Sequence, residues 1–95
     1  MKDKVILLVE DSERDEELAL RALRKNSIKN EVVVARDGEE ALDYLFGTGK
    51  HAGRNAAELP TVVLLDIKLP KIDGLEVLRR LRADERTKLL PVVIL

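Results

Sequence analysis

Two apolar runs in this chain end in acids. Val5–Val9 leads into Glu10-Asp11, and Val62–Leu65 leads into Asp66. Short unbroken runs of Val, Ile and Leu read as strands buried on both faces, as in a parallel sheet. The carboxyl ends of parallel strands share one edge of the sheet, and ligand sites form there where the chain reverses its direction across the sheet. If the first and third strands are neighbours, Glu10, Asp11 and Asp66 converge. Two carboxylates ~4 Å apart repel by ~4 kcal/mol at an effective dielectric near 20. Three must therefore share protons, spread apart or bind a cation. An all-oxygen donor set without His or Cys suits a hard ion, Mg²⁺ first, which keeps several waters and takes only a few carboxylates. Such an ion can hold phosphoryl oxygens, and an aspartate can accept a phosphoryl group covalently. Asp11 and Ser12 also suit a plain helix cap. Asp66 does not, because Ile-Lys-Leu-Pro follows it instead of a helical pattern.

The elements that must position these acids follow from periodicity. Val32–Ala35 is a weaker strand run and Val92–Leu95 a fourth one. The segments between them have helical period. A first helix opens near Ser12, with Asp15 three residues on as in a capping box, carries the stripe Leu18, Ala19, Ala22 and Leu23, and ends at Asn26-Ser27. A second opens at Asp37-Gly38-Glu39-Glu40, carries Ala41, Leu42 and Leu45, and stops at Gly47. A third opens at Asp73-Gly74-Leu75-Glu76 and carries Leu75, Val77, Leu78 and Leu81. The order β-α-β-α-β-α-β implies an α/β fold with a parallel sheet and right-handed crossovers. Gly47–Pro60 is long for a helix-to-strand connection and reads as a mobile surface loop, with contact to a partner as the alternative.

Composition excludes several classes. The chain has 95 residues, enough for one domain over 1–95, with 17 Lys+Arg against 18 Asp+Glu. That balance argues against a nucleic-acid or membrane-surface binder. With no Trp, one Tyr and one Phe there is no platform for stacking bases, and with no Cys there is no disulfide or thiolate site, which fits a cytoplasmic location. One histidine, His51, is too few for a His-based zinc site or a Ser-His-Asp triad and reads as a surface residue. Val5–Val9 is too short to span a membrane or to form a signal h-region. Lys2 and Lys4 read as solvated flanks. The cluster Arg79, Arg80, Arg82, Arg86 and Lys88, interspersed with Glu76, Asp84 and Glu85, reads as a solvated helix face. Tyr44 and Phe46 are expected to pack against the long loop or the sheet.

LLVEDS at 7–12, VVLLDIKLPKIDGLEVL at 62–78 and PVVIL at 91–95 resemble a two-component response-regulator receiver domain, along essentially the whole chain. The resemblance implies a flavodoxin-like (CheY-like) three-layer αβα fold with sheet order 2-1-3-4. It implies that Asp66 accepts a phosphoryl group from a histidine kinase or phosphotransfer protein. It also implies Mg²⁺ held by Glu10, Asp11, Asp66 and the backbone carbonyl of Lys68, with Asp11 the direct ligand and Glu10 often acting through water. The Lys68 side chain then tunes hydrolysis of the acyl phosphate, and Pro70 and Gly74 shape the turn into the third helix. No enzymatic activity is implied beyond self-phosphorylation and autodephosphorylation. The long loop resembles single-domain regulators associated with phytochromes.

Members of that family continue past the position of Leu95 with a Ser or Thr, a helix, a fifth strand ending in Lys and a last helix, roughly 40 residues by ordinary element lengths. The expectation is therefore a truncated receiver, impaired in switching, whose fourth strand is an open edge, so that either it self-associates through Val92–Leu95 or another segment fills the gap. The alternatives are a non-phosphorylating pseudo-receiver or a self-associating structural fragment. A Mg²⁺-dependent phosphatase with an aspartate nucleophile fits poorly, since such enzymes carry a second acid where this chain has Lys68.

Overall fold

A computed structural model describes residues 4–95. Lys2 lies outside the described residues, and Lys4 is exposed as expected. The elements are β1 (Ile6–Val9), α1 (Glu13–Lys25), β2 (Val32–Ala35), α2 (Gly38–Phe46), a 3₁₀ turn (Gly49–His51), β3 (Val62–Leu65), α3 (Gly74–Ala83) and β4 (Val92–Ile94). The strands form one parallel sheet in the order β2-β1-β3-β4, the order expected from the resemblance.

Local chemistry explains where each helix starts. Ser12 Oγ accepts the Asp15 N–H (3.2 Å), Asp37 Oδ1 the Glu40 N–H (2.7 Å) and Asp73 Oδ1 the Glu76 N–H (2.9 Å). Each cap satisfies one of the donors that a helix start leaves without a partner. Glu40 also reaches back, its Oε1 accepting the Arg36 N–H (2.9 Å). Gly47 ends α2 in the left-handed region at φ 66°, where a residue without Cβ is least strained.

The sheet is packed unequally on its two faces. Leu7, Val9, Val63 and Leu65 are fully buried in one cluster with Ala41, Leu42 and Leu45 of α2 and Val77 and Leu81 of α3. Right-handed crossovers put α1 on the other face. There Ile6 and Leu8 are buried, yet no residue of α1 is. The expected α1 stripe is therefore only half-realised: Ala19 and Leu23 are half-buried, as is Leu20, but Ala22 is exposed and Leu18 is 50% exposed. The expected α3 stripe also changes. Leu75 is 59% exposed, and the inward face is Gly74, Val77, Leu78 and Leu81, the spacing that one helical face requires.

Gly47–Pro60, read as a surface loop, makes several side-chain contacts with α2. Arg54 Nη1 donates to the Tyr44 carbonyl (2.7 Å), a second Arg54 nitrogen donates to the Glu58 carbonyl, and the guanidinium lies 3.9 Å above the Tyr44 ring. His51 meets the same ring edge-on at 5.2 Å, and its Nε2 is 3.3 Å from Glu40 Oε2. Tyr44 thus packs against the loop as expected, while His51 is half-buried and not a simple surface residue. Phe46 lies under the Arg86 guanidinium at 4.7 Å.

The basic cluster is also more structural than its composition suggests. Arg79 and Arg80 pair with Glu76, and Arg86 with Asp84. Arg82 Nη1 donates to the carbonyls of Leu90 (2.7 Å) and Lys88 (3.0 Å), holding the α3–β4 turn around a fully buried Thr87.

Candidate metal centre

Because β1 and β3 are neighbours with Val9 opposite Leu65, the residues that follow, Glu10 and Asp66, emerge side by side. The ladder continues past both strands: Glu10 N–H donates to the Ala35 carbonyl (2.9 Å), and Asp66 N–H to the Val9 carbonyl (3.2 Å). One carboxylate oxygen from each of Glu10, Asp11 and Asp66 lies within 4.8 Å of the others. Glu10 is buried, Asp66 half-buried and Asp11 exposed, so the cluster opens to solvent on the Asp11 side.

Each acid has a different local setting. Glu10 Oε2 accepts the Ser12 N–H (3.2 Å), and Asp66 Oδ1 accepts the Lys68 N–H (3.1 Å). Burial pushes the Glu10 carboxyl above its ordinary value. The Ser12 N–H opposes this, and the charges of Asp66 and Asp15 add to it. Among the described residues no Lys or Arg forms an ion pair with Glu10, Asp11 or Asp66. Uptake of a cation would relieve the mutual repulsion of the three carboxylates. Oxygen donors at this separation fit a hard divalent ion. The Lys68 carbonyl accepts no backbone hydrogen bond among the described residues, so it has capacity for a further ligand.

The raised Glu10 value has a sign that can be measured. The folded chain holds this proton more tightly than the unfolded one, so Glu10 contributes fully below its ordinary value of 4.5 and its contribution is lost as pH rises through the raised value. Glu10→Gln is expected to flatten that loss in the absence of divalent ions and to unfold at a higher temperature than wild type at neutral pH. Melting temperature against pH checks this, and parallel curves for the two proteins would contradict it.

Two contacts fix the backbone around Asp66. Gly74 is buried, and a Cβ there would meet the Asp66 carbonyl oxygen and come within 2.7 Å of the Ile67 Cα. Gly38 likewise faces the Ile72 carbonyl, with 2.9 Å from its absent Cβ to the Ile72 carbonyl carbon. The resemblance implies a turn role for Gly74, while nothing in it marks Gly38 as the counterpart on α2. The repeated Asp-Gly at both helix starts was the available signal. Lys71, at φ 66°, is a left-handed lysine that nothing in its sequence context marks.

Residues 6–95 match the family described as response regulator receiver domain. The chain belongs to this family. The receiver domain is 40% identical over 92 residues to the response regulator Rcp1 of Synechocystis sp., covering 97% of this chain and 60% of the relative. It superimposes on the Mn²⁺-bound form of response regulator Rcp1 with a TM-score of 0.84 and 40% identity, covering 96% of this chain and 63% of that one. It superimposes on the bacteriophytochrome response regulator AtBRR with a TM-score of 0.91 and 54% identity, covering 99% of this chain and 66% of that one. For the phosphorylated cyanobacterial phytochrome response regulator RcpA the TM-score is 0.84 and the identity 42%, over 97% of this chain and 64% of that one. The chain thus spans about 60% of its curated relative's length. The resemblance to phytochrome-associated regulators, inferred from the long loop, agrees with these neighbours. No described helix is long and apolar enough to cross a membrane.

Proposed function

We propose that this receiver domain accepts a phosphoryl group on Asp66 from the phosphohistidine of a histidine kinase or phosphotransfer protein in the cytoplasm. The observation that carries this reading is the convergence of Glu10, Asp11 and Asp66 within 4.8 Å at the carboxyl edge of β1 and β3. The Mn²⁺-bound and phosphorylated neighbours support it. Glu10, Asp11, Asp66 and the Lys68 carbonyl would hold Mg²⁺, which when bound offsets charge on phosphoryl oxygens. The Lys68 N–H restrains one Asp66 oxygen, leaving the other as nucleophile. In the step an Asp66 oxygen forms the O–P bond, the N–P bond of phosphohistidine breaks, and the imidazole leaves with the bonding electrons. The product is an aspartyl phosphate.

Since no basic side chain among the described residues pairs with the cluster, these 95 residues alone are expected to react slowly. Loss of one positioned donor costs about 2.7–4 kcal/mol of transition-state stabilisation. Incubation with Mg²⁺ and a small acyl phosphate, followed by intact-mass analysis, tests the reading. One phosphoryl group should be gained only with the ion, and its absence even after prolonged reaction with a phosphorylated kinase domain would refute acceptance. Binding alone should also register: Mg²⁺ at tenfold excess over its dissociation constant stabilises the fold by about 1.4 kcal/mol.

A second reading, favoured by β4, is that the 95-residue chain self-associates. Val93, Ile94 and Leu95 are 49%, 40% and 55% exposed, on a strand with only β3 beside it. Such an edge offers unpaired backbone groups and apolar area together. Light scattering of the 95-residue chain should therefore give more than the monomer mass, and Val93→Lys should reduce it. A monodisperse monomer would contradict this.

A further inference from the structure

The segment from Asp66 to Asp73 carries both the acceptor and the Lys68 carbonyl, and α2 holds its far end. Ile72 lies against the space where Gly38 has no Cβ. Lys71 Nζ lies 3.5 Å from Asp37 Oδ2 and 3.8 Å from Glu39 Oε2, so one ammonium bridges two carboxylates of the first α2 turn. Lys71 adopts φ 66°, a region that disfavours any residue with a Cβ. Glycine would suit that backbone better, so what the lysine supplies there is its side chain. Between Asp66 and Lys71 the segment is also held by the buried Leu69 and by the Gly74 N–H, which donates to the Ile67 carbonyl (2.8 Å), so Lys71 acts on the part beyond these anchors.

We propose that Lys71 is a positioning residue: by tying the acceptor segment to Asp37 and Glu39 it sets where the Lys68 carbonyl stands, and so tunes divalent-ion affinity. This rests on the metal reading above. Asp37 has a second duty as the α2 cap, through its other oxygen, so the tie ends on a fixed point. Partners that orient a ligand directly change metal affinity by roughly 10–100-fold. An exposed pair acting through a backbone segment is expected to give less, about three- to tenfold.

Charge alone predicts the opposite sign. Removing a cation near the site would tighten binding of a divalent ion through space, whereas releasing the segment weakens it. The test measures Mn²⁺ dissociation constants by water-proton relaxation at physiological ionic strength, with melting temperatures in parallel. Lys71→Ala and Lys71→Gly should both weaken binding with little change in melting temperature. Lys71→Arg should restore it, and Asp37→Asn/Glu39→Gln, which keeps a capping side chain, should weaken it non-additively with Lys71→Ala. Unchanged or tighter binding in Lys71→Ala would overturn the proposal, as would wild-type affinity in Lys71→Gly, which would assign the effect to backbone strain. Failure of the wild-type protein to bind Mn²⁺ would overturn the metal reading and this one with it.

Discussion

Asp66→Asn is expected to remove phosphoryl acceptance entirely while leaving the protein folded. The carboxamide is nearly isosteric and can still accept the Lys68 N–H, so the turn after β3 keeps its hydrogen bond. What it loses is the anionic nucleophile. Where catalysis is covalent, deleting the nucleophile costs a factor on the order of 10⁶. Intact-mass analysis after treatment with acyl phosphate and Mg²⁺ should show no phosphoryl adduct at any time. The same variant removes one of the charges that raise the Glu10 carboxyl, so the metal-free protein should melt at a higher temperature near neutral pH. Asp11→Asn gives a separate signature: the nucleophile remains, the ion is held less well, and the adduct should form slowly. If Asp66→Asn still gained one phosphoryl group at the wild-type rate, the acceptor would lie elsewhere.

Gly74→Ala is expected to destabilise the fold in spite of its position in a helix. Helix propensity alone favours alanine by about 1 kcal/mol. Here the new Cβ would meet the Asp66 carbonyl oxygen and come within 2.7 Å of the Ile67 Cα, both of them backbone atoms without a flexible side chain to yield. Overpacking of this kind costs about 1–3 kcal/mol and sometimes more. The steric cost wins, and the net loss should be about 1 kcal/mol, or roughly 4–8 °C in melting temperature for a domain of this size. Because the displaced atoms belong to Asp66, the proposed acceptor, and its neighbour, ion affinity should fall as well. Leu75→Ala, one residue on but 59% exposed, is the control and should change little. A Gly74→Ala protein as stable as wild type would show that α3 can shift away from the acceptor without cost.

Both predictions rest on features of unequal visibility in the sequence. The acids at the ends of Val5–Val9 and Val62–Leu65 were legible because period and strand order depend on many residues at once, and a parallel sheet brings strand ends together. The helix starts were legible because Ser12, Asp37 and Asp73 carry caps whose geometry is local. The inward face of α3 was less so: Leu75 fits an apolar pattern as well as Leu78 does, and only packing against α2 and the sheet decides between them. On α1 the pattern of Leu18 and Ala22 describes a face that is apolar without being covered, and no periodicity distinguishes the two. Arg82 was read as part of a solvated face, and Lys71 was not singled out, because a long side chain's partner depends on which loop passes nearby. The structure supplies those partners as the first turn of α2 and the carbonyls ahead of β4.

The acid caps carry a kinetic consequence as well. Asp37 and Asp73 stand at the starts of α2 and α3, on the same sheet edge as Glu10, Asp11 and Asp66. On the proposed function the donor would arrive as a phosphohistidine anion, and the carboxylates of this edge, offset in part by Lys71 beside Asp37 and Glu39, would slow its approach by long-range repulsion. A divalent cation is drawn to the same edge. On the proposed function arrival would thereby be ordered: the ion would precede the donor, and its concentration would govern how often a productive encounter begins. Added salt then shields the donor's repulsion while weakening the ion's attraction, so the encounter rate should pass through a maximum as ionic strength increases.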